Sequence, residues 1–359
     1  MNQSLLPLIA LSEIDRVVQE SARKLLQVSV PPVKYWLLVD TLGKDERDTL
    51  VQRTIAECKM YPLRLKLLRT LREDGTWPIS KVRKTAEDAG PGPPVGWTYT
   101  TMLRNLQLLD DCYTERSEGL VSLALERILS WQNKDGYILG PKHDIFPLPH
   151  CNGYALRNFF ILEMEDDPRV KKLADWLLSI QRHDGGWVIP YQEDVKYLPE
   201  YKHMKMQNFL ELVRKGATPA SDPKGFKDVP SCIWTTMMVI RGLARSEEYS
   251  RRREVLRGAD FFLDRFFERN PHSAYCHSER NWTHLRYPPY PGNGLIALYL
   301  LAVLGHGPGD ERMERPIRWL LNARHQDGFW WQSDRPHAQK DQWITGMAIE
   351  TLSRYSKNQ

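Results

Sequence analysis

One block of sequence recurs along this chain, and it constrains the fold more than any other feature. Each copy combines apolar residues at three- and four-residue spacing with an Asp-Gly pair and, in most copies, a closing tryptophan. The spacing of the Asp-Gly pairs indicates a unit of about 50 to 70 residues that occurs five or six times. The copies are KKLADWLLSIQRHDGGW (171–187), RPIRWLLNARHQDGFWW (315–331), LERILSWQNKDGYI (125–138) and the degenerate LLRTLREDGTW (67–77).

Two kinds of helix alternate in this repeat. The repeated blocks are amphipathic helices, and the glycine of Asp-Gly takes the left-handed conformation that ends a helix. Between them lie segments with few charges, which we expect to form a second kind of helix. Because these helices are apolar nearly all round, we expect them to be buried on several sides. The alternation predicts an all-α fold, an α/α toroid of five to six helical hairpins with the amphipathic helices outside. The apolar segments are 97–109, 153–162, 232–243, 294–304 and 343–352.

A repeating fold also changes how the length is interpreted. The chain has 359 residues, which at roughly 150 residues per domain would give two domains. We instead expect N-terminal helices over residues 1–60, packed on a toroid over 61–359. Two stretches rich in Pro, Gly and charge, near 80–96 and 188–229, interrupt the period, and we predict that they are insertions on a rim.

Charge and hydropathy argue against several classes of protein. The net charge of +5 is spread along the chain with only one tight basic cluster, Arg251–Arg253, so we expect no nucleic-acid binding. No apolar run reaches the roughly 18 residues needed to cross a bilayer, so no transmembrane segment is expected. The first twenty residues lack the basic start of a secretory signal, and a cytoplasmic location is therefore the expectation.

The repeat resembles the QW repeats of the prenyltransferase and squalene cyclase superfamily, which includes terpenoid cyclases and protein prenyltransferases. In such a repeat the outer helix ends in Gln, a short turn, Gly and Trp. The full pattern is present at Gln181, Gly186 and Trp187. We expect these side chains to be structural, with Gln bonding backbone groups at the end of the next helix while Trp packs on it. Partial matches are Gln132 with Gly136, and Trp319 with Gly328 and Trp331.

The resemblance implies a central cavity that binds a hydrophobic, isoprenoid-type ligand. If the protein is an enzyme, the resemblance implies a prenyltransferase-like or terpene cyclase-like reaction. Aromatic faces stabilise cationic character in such a ligand. The predicted ligand-binding residues are aromatic and sit on or just before the apolar helices: Trp97, Tyr154, Trp234, Trp282, Tyr287, Tyr290 and Trp343.

Acidic residues are where the sequence departs from the family pattern. Class II terpene cyclases of this superfamily protonate their substrate with an Asp of a DxDD motif that precedes an inner helix. The nearest match is DVPS at 228–231, in which only Asp228 keeps an acid. The catalytic candidates are Asp228, Asp341 and Asp144, although Asp341 also fits a helix cap. The pair Asp110–Asp111 is similar to motifs that hold diphosphate through magnesium, but a solvated turn is the preferred interpretation.

Cysteine and histidine residues near the starts of successive apolar helices form a candidate metal site. The five cysteines are odd in number and scattered, which is not a disulfide framework. Protein prenyltransferases of the resembled superfamily bind zinc through Asp, Cys and His. The resemblance therefore implies zinc at Cys151, Cys232, Cys276 and His277, with buried structural thiols as the alternative.

Two other classes of function remain open. A carbohydrate-active enzyme on an α/α toroid needs paired acids across an open cleft, and Asp144 and Asp228 are candidates. Arg241 is a further polar residue expected at the same rim as these acids. A non-catalytic scaffold that presents its loops to a protein partner would fit the missing DxDD motif and the incomplete zinc pattern.

Overall fold

The computed structural model describes most of the chain, and the regular structure in the described part is helical. The described residues are 10–88, 95–141, 147–189, 203–205, 208, 211–212, 215, 229–271, 278–290, 292–333 and 337–357. They contain no β-strand, only two isolated bridges, Gln132 with Ile138 and Trp187 with Cys232. The predicted all-α class is therefore confirmed for this part of the chain.

Sixteen α-helices are present in the described residues. None of these helices is both long and apolar enough to cross a membrane. Each of the five predicted apolar segments is confirmed as helical, and a π-helical turn, Leu37–Thr41, continues the second helix. The helices are α1 (Leu11–Val28), α2 (Pro31–Trp36), α3 (Thr49–Lys59), α4 (Pro62–Thr70), α5 (Lys81–Asp88), α6 (Gly96–Asp111), α7 (Val121–Leu129), α8 (Pro149–Ile161), α9 (Pro168–Ser179), α10 (Ile233–Leu243), α11 (Glu247–Ser250), α12 (Arg253–Leu263), α13 (Arg280–Thr283), α14 (Gly294–Val303), α15 (Glu311–Asn322) and α16 (Ala338–Lys357).

The chain divides into two compact units. One break follows Tyr61, and the C-terminal repeats group with the N-terminal helices. In the first predicted insertion, near 80–96, residues 81–88 form helix α5. Most of the second, near 188–229, lies outside the described residues. The first unit comprises Met1–Tyr61, Leu263–Glu268 and Glu279–Gln359, and the second comprises Pro62–Phe262 and Arg269–Ser278.

Four of the repeated blocks end in the same backbone elbow. Its first N–H donates to the carbonyl four residues later, at 2.9 Å in each of the four copies. The glycine of each Asp-Gly pair has a positive φ, 78° at Gly75 and 104° at Gly136, which a residue with a side chain adopts only with strain. The predicted positive φ is therefore confirmed, but the glycine does not end the helix. The four helices end five to seven residues earlier, at Thr70, Leu129, Ser179 and Asn322, and the glycine turns the chain within the elbow. The elbows begin at Arg72, Asn133, Arg182 and His325.

A tryptophan anchors three of these elbows to the preceding helix. In each, the indole N–H donates to the carbonyl of the residue ten positions earlier, and the indole is buried. In the C-terminal copy this role belongs to Trp330 rather than Trp331, which stacks on His325 with 3.9 Å between ring centroids. The bonds are Trp77 to Leu67 (2.8 Å), Trp187 to Leu177 (2.7 Å) and Trp330 to Leu320 (2.7 Å).

Two glutamines bridge consecutive amphipathic helices of the second unit. The amide of Gln132 donates to the carbonyl of its elbow glycine at 2.7 Å and to that of Arg169, in the first turn of α9, at 2.8 Å. Gln181 donates in the same way to its elbow glycine at 2.8 Å and to Glu254, in the first turn of α12, at 2.6 Å. The predicted structural role of these glutamines is confirmed.

A cation from a neighbouring helix covers each of the four elbows, and one of these cations lies on α1. Lys172 of α9 donates to the carbonyl of Lys134 at 2.5 Å. Arg127 of α7 and Arg257 of α12 each donate to a backbone carbonyl of the elbow beside them, at 2.7 and 2.6 Å. In the first unit Lys24 of α1 donates to the carbonyl of Asp327 at 2.8 Å. Helix α1 therefore takes the position beside an elbow that α7 and α12 take in the second unit.

Helices α8 and α10 of the second unit approach each other at two glycines. A Cβ on Gly242 would lie 2.3 Å from the carbonyl oxygen of Gly153, and a Cβ on Gly153 would lie 2.5 Å from that of Met238. No side chain fits in these gaps, so the two backbones pack in direct contact. This contact places Tyr154 and Arg241, the residues adjacent to the two glycines, close to each other.

Candidate functional site

A polar cluster is buried in the second unit where α6, α8 and α10 meet. We call it the arginine cluster: Gln107 and Asp111 of α6, Tyr154 and Arg157 of α8, and Arg241 of α10. Each of these residues is at most 8% exposed. Positions three or four apart share one face of a helix, which brings the two residues of α6 together, and likewise the two of α8. Polar side chains are kept at this depth when they are hydrogen-bonded.

Tyr154 connects the two sides of the arginine cluster. Its hydroxyl donates to the side-chain oxygen of Gln107, and the Cζ atom of Arg241 lies 5.9 Å from the centroid of its ring. Burial raises the pKa of Tyr154 to about 12. Burial, followed by the charge of Arg157, lowers the pKa of Arg241 to about 10. At neutral pH the cluster therefore offers a neutral phenol and charged guanidinium donors.

Arg157 pairs α8 with the end of α6. Its Nη2 donates to Asp110 at 3.1 Å and lies 3.8 Å from Asp111, while its Nη1 donates to Asn158 at 3.2 Å. Its Nε is buried and has no hydrogen-bond partner in the described part of the chain. The pair Asp110–Asp111 is thus not a solvated turn, because both residues end α6 and the carboxylate of Asp111 is buried beside Arg157.

Two predicted ligand-binding residues of the first unit stack on each other. The rings of Tyr287 and Trp343 lie within 8° of parallel, with 4.6 Å between their centroids. Trp36, which the sequence did not single out, meets Trp343 edge-on at 5.0 Å. Such pairs contribute about 0.5–1.5 kcal/mol beyond the burial of their area. These three rings, which we call the aromatic stack, include one half-buried member, Trp36.

The other two predicted ligand-binding residues of the first unit differ in exposure. Trp282 is fully buried, donates to the carbonyl of Glu268 at 2.8 Å and stacks on Phe266 at 4.4 Å. These contacts make Trp282 a core residue of its unit. Tyr290 is 40% exposed and reaches solvent.

Three predicted ligand-binding residues belong to the second unit. Trp97 is half-buried, and the guanidinium of Arg83 lies 4.6 Å from the centroid of its ring. Its indole nitrogen is buried without a hydrogen-bond partner among the described residues. Trp234 is buried in α10, and Tyr154 belongs to the arginine cluster. The predicted set is therefore shared between the two units, with Trp97 as its most accessible member in the second.

Of the three predicted catalytic acids, the structure describes Asp341. One of its carboxylate oxygens accepts the N–H of Gln332 at 2.7 Å, and the other accepts the N–H of His337 at 2.8 Å. Asp341 therefore braces the backbone that leads into α16, which supports the capping interpretation of this residue. Asp144 and Asp228 lie outside the described residues, so their catalytic roles stay predictions.

The predicted metal site is described for two of its four residues. The Sγ atom of Cys232 accepts a hydrogen bond from the Nδ2 atom of Asn270 at 3.4 Å. Cys151 is fully buried, and burial raises the pKa of its thiol to about 12. Cys276 and His277 lie outside the described residues. Within the described ranges no group of three or more His, Cys, Asp and Glu side chains is placed to hold a metal ion.

Comparison with known proteins leaves the function to be argued from these residues. A scan against protein-family models and a search of the curated proteins found no match to the chain.

Gln107 and Arg157 are not among the residues predicted from the sequence, although each lies on a largely apolar helix one turn from a second polar residue. That pairing of polar residues is the signal that would have located the cluster.

Proposed function

We propose that the chain is an α/α toroid of the prenyltransferase and terpene cyclase type that binds a hydrophobic, isoprenoid-like ligand in a central, aromatic-lined cavity. One observation carries the proposal: the same tryptophan-anchored elbow occurs at Trp77, Trp187 and Trp330, in both units of the chain. The glutamine bridges between consecutive helices support the same repeat. Transfer or cyclisation of a prenyl group is the catalytic form of the proposal.

The aromatic stack supports an apolar and cation-tolerant site. Tyr287 and Trp343 present parallel rings to each other, and the half-buried Trp36 meets Trp343 edge-on at 5.0 Å. Flat aromatic faces contact prenyl chains over a large area and stabilise developing positive charge through their quadrupoles. We therefore place the first aromatic contacts of the ligand at the stack.

The proposal does not include protonation of an alkene by the DVPS segment. Cyclase initiation needs a strongly acidic carboxylic acid, and the last position of the motif is occupied by Ser231. The Oγ of Ser231 donates to Asp184 at 2.6 Å, and its N–H donates to the same carboxylate at 2.8 Å. This position braces the elbow, so prenyl binding or transfer is the favoured form.

The proposed zinc site uses Cys276 and His277 together with the two described cysteines. Bound zinc would activate a thiolate, as the superfamily resemblance implies. Cys151 and Cys232 do not fit a zinc site by themselves, because the first is a buried neutral thiol and the second accepts an amide hydrogen bond. Metal analysis of the purified protein tests this part, with one zinc per chain expected and its loss in Cys232→Ser. A metal-free protein removes zinc from the proposal.

Binding of a prenyl series tests the proposal directly. Geraniol, farnesol, geranylgeraniol and their diphosphates are titrated with and without zinc and magnesium, and tryptophan fluorescence is followed. We expect saturable binding that tightens about tenfold or more with each added isoprene unit, because each unit buries five more carbons. If no member of the series binds saturably, the proposal fails and a protein-interaction scaffold becomes the better hypothesis.

Matched tryptophan variants localise the binding. Trp343→Leu removes the central ring of the aromatic stack and is expected to weaken binding at least tenfold. Trp331→Leu changes a ring that stacks on His325 in an elbow and is expected to leave binding unchanged. Tyr287→Leu serves as the second stack variant if Trp343→Leu does not fold. Equal binding by the stack variants and the elbow variant would place the ligand elsewhere.

A further inference from the structure

Helix α5 lies on the surface of the second unit and has little apolar contact with it. Of the five side chains that the structure describes in this helix, at positions 81–85, four are exposed and Arg83 is half-buried. Val82, the one apolar residue among these five, is 80% exposed. Burial of apolar surface therefore contributes little to holding the described part of α5 in place.

Arg83 connects α5 to helix α6. Its guanidinium lies 4.6 Å from the centroid of the Trp97 ring, and its Nη1 donates to the Oγ1 of Thr101 at 3.3 Å. Trp97 and Thr101 are four residues apart and so share one face of α6. A cation–π contact and a hydrogen bond from the same side chain thus hold α5 on that face.

The short length of α5 makes it dependent on this contact. The helix has eight residues, and isolated helices shorter than about 12 residues are marginal in water. Its side-chain bonds to its own backbone are local: Ser80 accepts the N–H of Arg83 at 3.3 Å, and Thr85 donates to the carbonyl of Lys81 at 3.0 Å. Once Arg83 leaves α6, we therefore expect α5 to unfold locally, at little cost to the rest of the unit.

Trp97 is covered while Arg83 is in place. Its side chain is half-buried, and its indole nitrogen is buried without a hydrogen-bond partner in the described part of the chain. The guanidinium of Arg83 occupies one face of the ring. When Arg83 leaves, that face becomes accessible to apolar or cationic groups, which are the groups that bind aromatic faces.

We propose that α5 is a lid over Trp97 and that Arg83 holds the lid closed. In the closed form Arg83 covers the ring of Trp97. In the open form α5 is unfolded and the ring is uncovered, while α6 keeps its fold. The lid controls access to a residue that the sequence predicts to bind ligand, and it does not rest on isoprenoid binding, because the argument concerns only the contact of α5 with α6.

Hydrogen exchange and cleavage by endoproteinase Lys-C measure the opening of α5 in the full-length protein. Lys-C cleaves after Lys81 and Lys84 when this helix unfolds, and mass spectrometry identifies the fragments. In Arg83→Gln we expect exchange and cleavage in α5 to become about tenfold faster, since both contacts are lost while glutamine keeps nearly the helix propensity of arginine. The amides of α6 are expected to exchange at the wild-type rate. Wild-type rates in α5, or an equal acceleration in α6, overturn the proposal.

A double-mutant cycle tests whether Trp97 is the ring that the lid covers. In a Trp97→Leu background the effect of Arg83→Gln is expected to fall from about tenfold to about threefold, because only the hydrogen bond to Thr101 remains to be lost. If Trp97→Leu does not fold, Trp97→Phe replaces it. Val82→Gln introduces the same residue at an exposed position of α5 and is expected to stay within about threefold of wild type. A tenfold effect of Arg83→Gln in both backgrounds overturns the assignment of Trp97.

Discussion

Gln181 provides a direct test of how consecutive repeats are joined. Its amide donates to two backbone carbonyls, that of Gly185 at 2.8 Å and that of Glu254 at 2.6 Å. Gln181→Ala removes both bonds. Because a hydrogen bond contributes about 0.5–1.5 kcal/mol net, we expect the free energy of unfolding to fall by about 1–3 kcal/mol.

Gln181→Glu makes the same test more specific. An ionised carboxylate has nearly the same shape as the amide but only accepts hydrogen bonds, so it would face two carbonyl oxygens that need donors. At pH 7 we expect the free energy of unfolding of this variant to be lower than that of Gln181→Ala by about 1 kcal/mol or more. The repulsion raises the folded-state pKa of the new carboxyl above its unfolded value of about 4.3. The loss of stability relative to wild type should therefore be smallest below the unfolded pKa and grow as pH rises through the folded pKa.

Urea unfolding at pH 7 and pH 4, followed by circular dichroism and tryptophan fluorescence, measures these differences relative to wild type at the same pH. Gln19→Ala changes an exposed residue of α1 and is expected to stay within about 0.5 kcal/mol of wild type. The reasoning is refuted if Gln181→Ala behaves like that control. It is equally refuted if Gln181→Glu matches Gln181→Ala at pH 7.

Two comparisons address other parts of the chain. Gly185→Ala would place a Cβ 2.9 Å from the carbonyl oxygen of Arg257 at a φ of +91°, whereas Gly305→Ala has a φ of +88° with no atom within 4 Å. We expect about 1–2 kcal/mol of backbone strain in both and a further loss only in the first, and equal urea midpoints would contradict this. Burial lowers the pKa of His150 to about 3. Stability should therefore fall from about pH 6.5 downward, by up to about 1.4 kcal/mol per pH unit, and parallel pH profiles for wild type and His150→Leu would exclude this cause.

The amphipathic helices and their elbows could be predicted because their determinants are local. An Asp-Gly pair shortly after an apolar-periodic segment favours a left-handed turn wherever the helix packs. The glutamine at 181 lies within four residues of its elbow carbonyl, so its structural role was visible in the sequence. The choice between Trp330 and Trp331 was not, because it depends on which ring meets the carbonyl of Leu320 in the folded repeat.

The candidate site was only partly predictable because its partners are far apart in sequence. Tyr154 was expected to contact a ligand, yet its hydroxyl bonds Gln107, 47 residues earlier. Trp282 and Trp343 looked alike as aromatic residues near apolar helices. Packing made Trp282 a core residue beside Phe266 and put Trp343 at the centre of the aromatic stack. Helix α1 carries no Asp-Gly signature, and its position beside the C-terminal elbow is seen only in the fold, where Lys24 donates to Asp327 and Arg324 donates to Ser21.

The sequence by itself determined an all-α chain of repeated helices with fixed elbows, since periodicity and glycine conformation act over a few residues. Tertiary structure decided which polar side chains share a buried environment. Glycine contacts between α8 and α10 place Arg241 beside Tyr154, with 5.9 Å between the Cζ atom of Arg241 and the centroid of the tyrosine ring. A contact of this kind depends on how two helices pack rather than on sequence spacing, and so it becomes visible only in the folded chain.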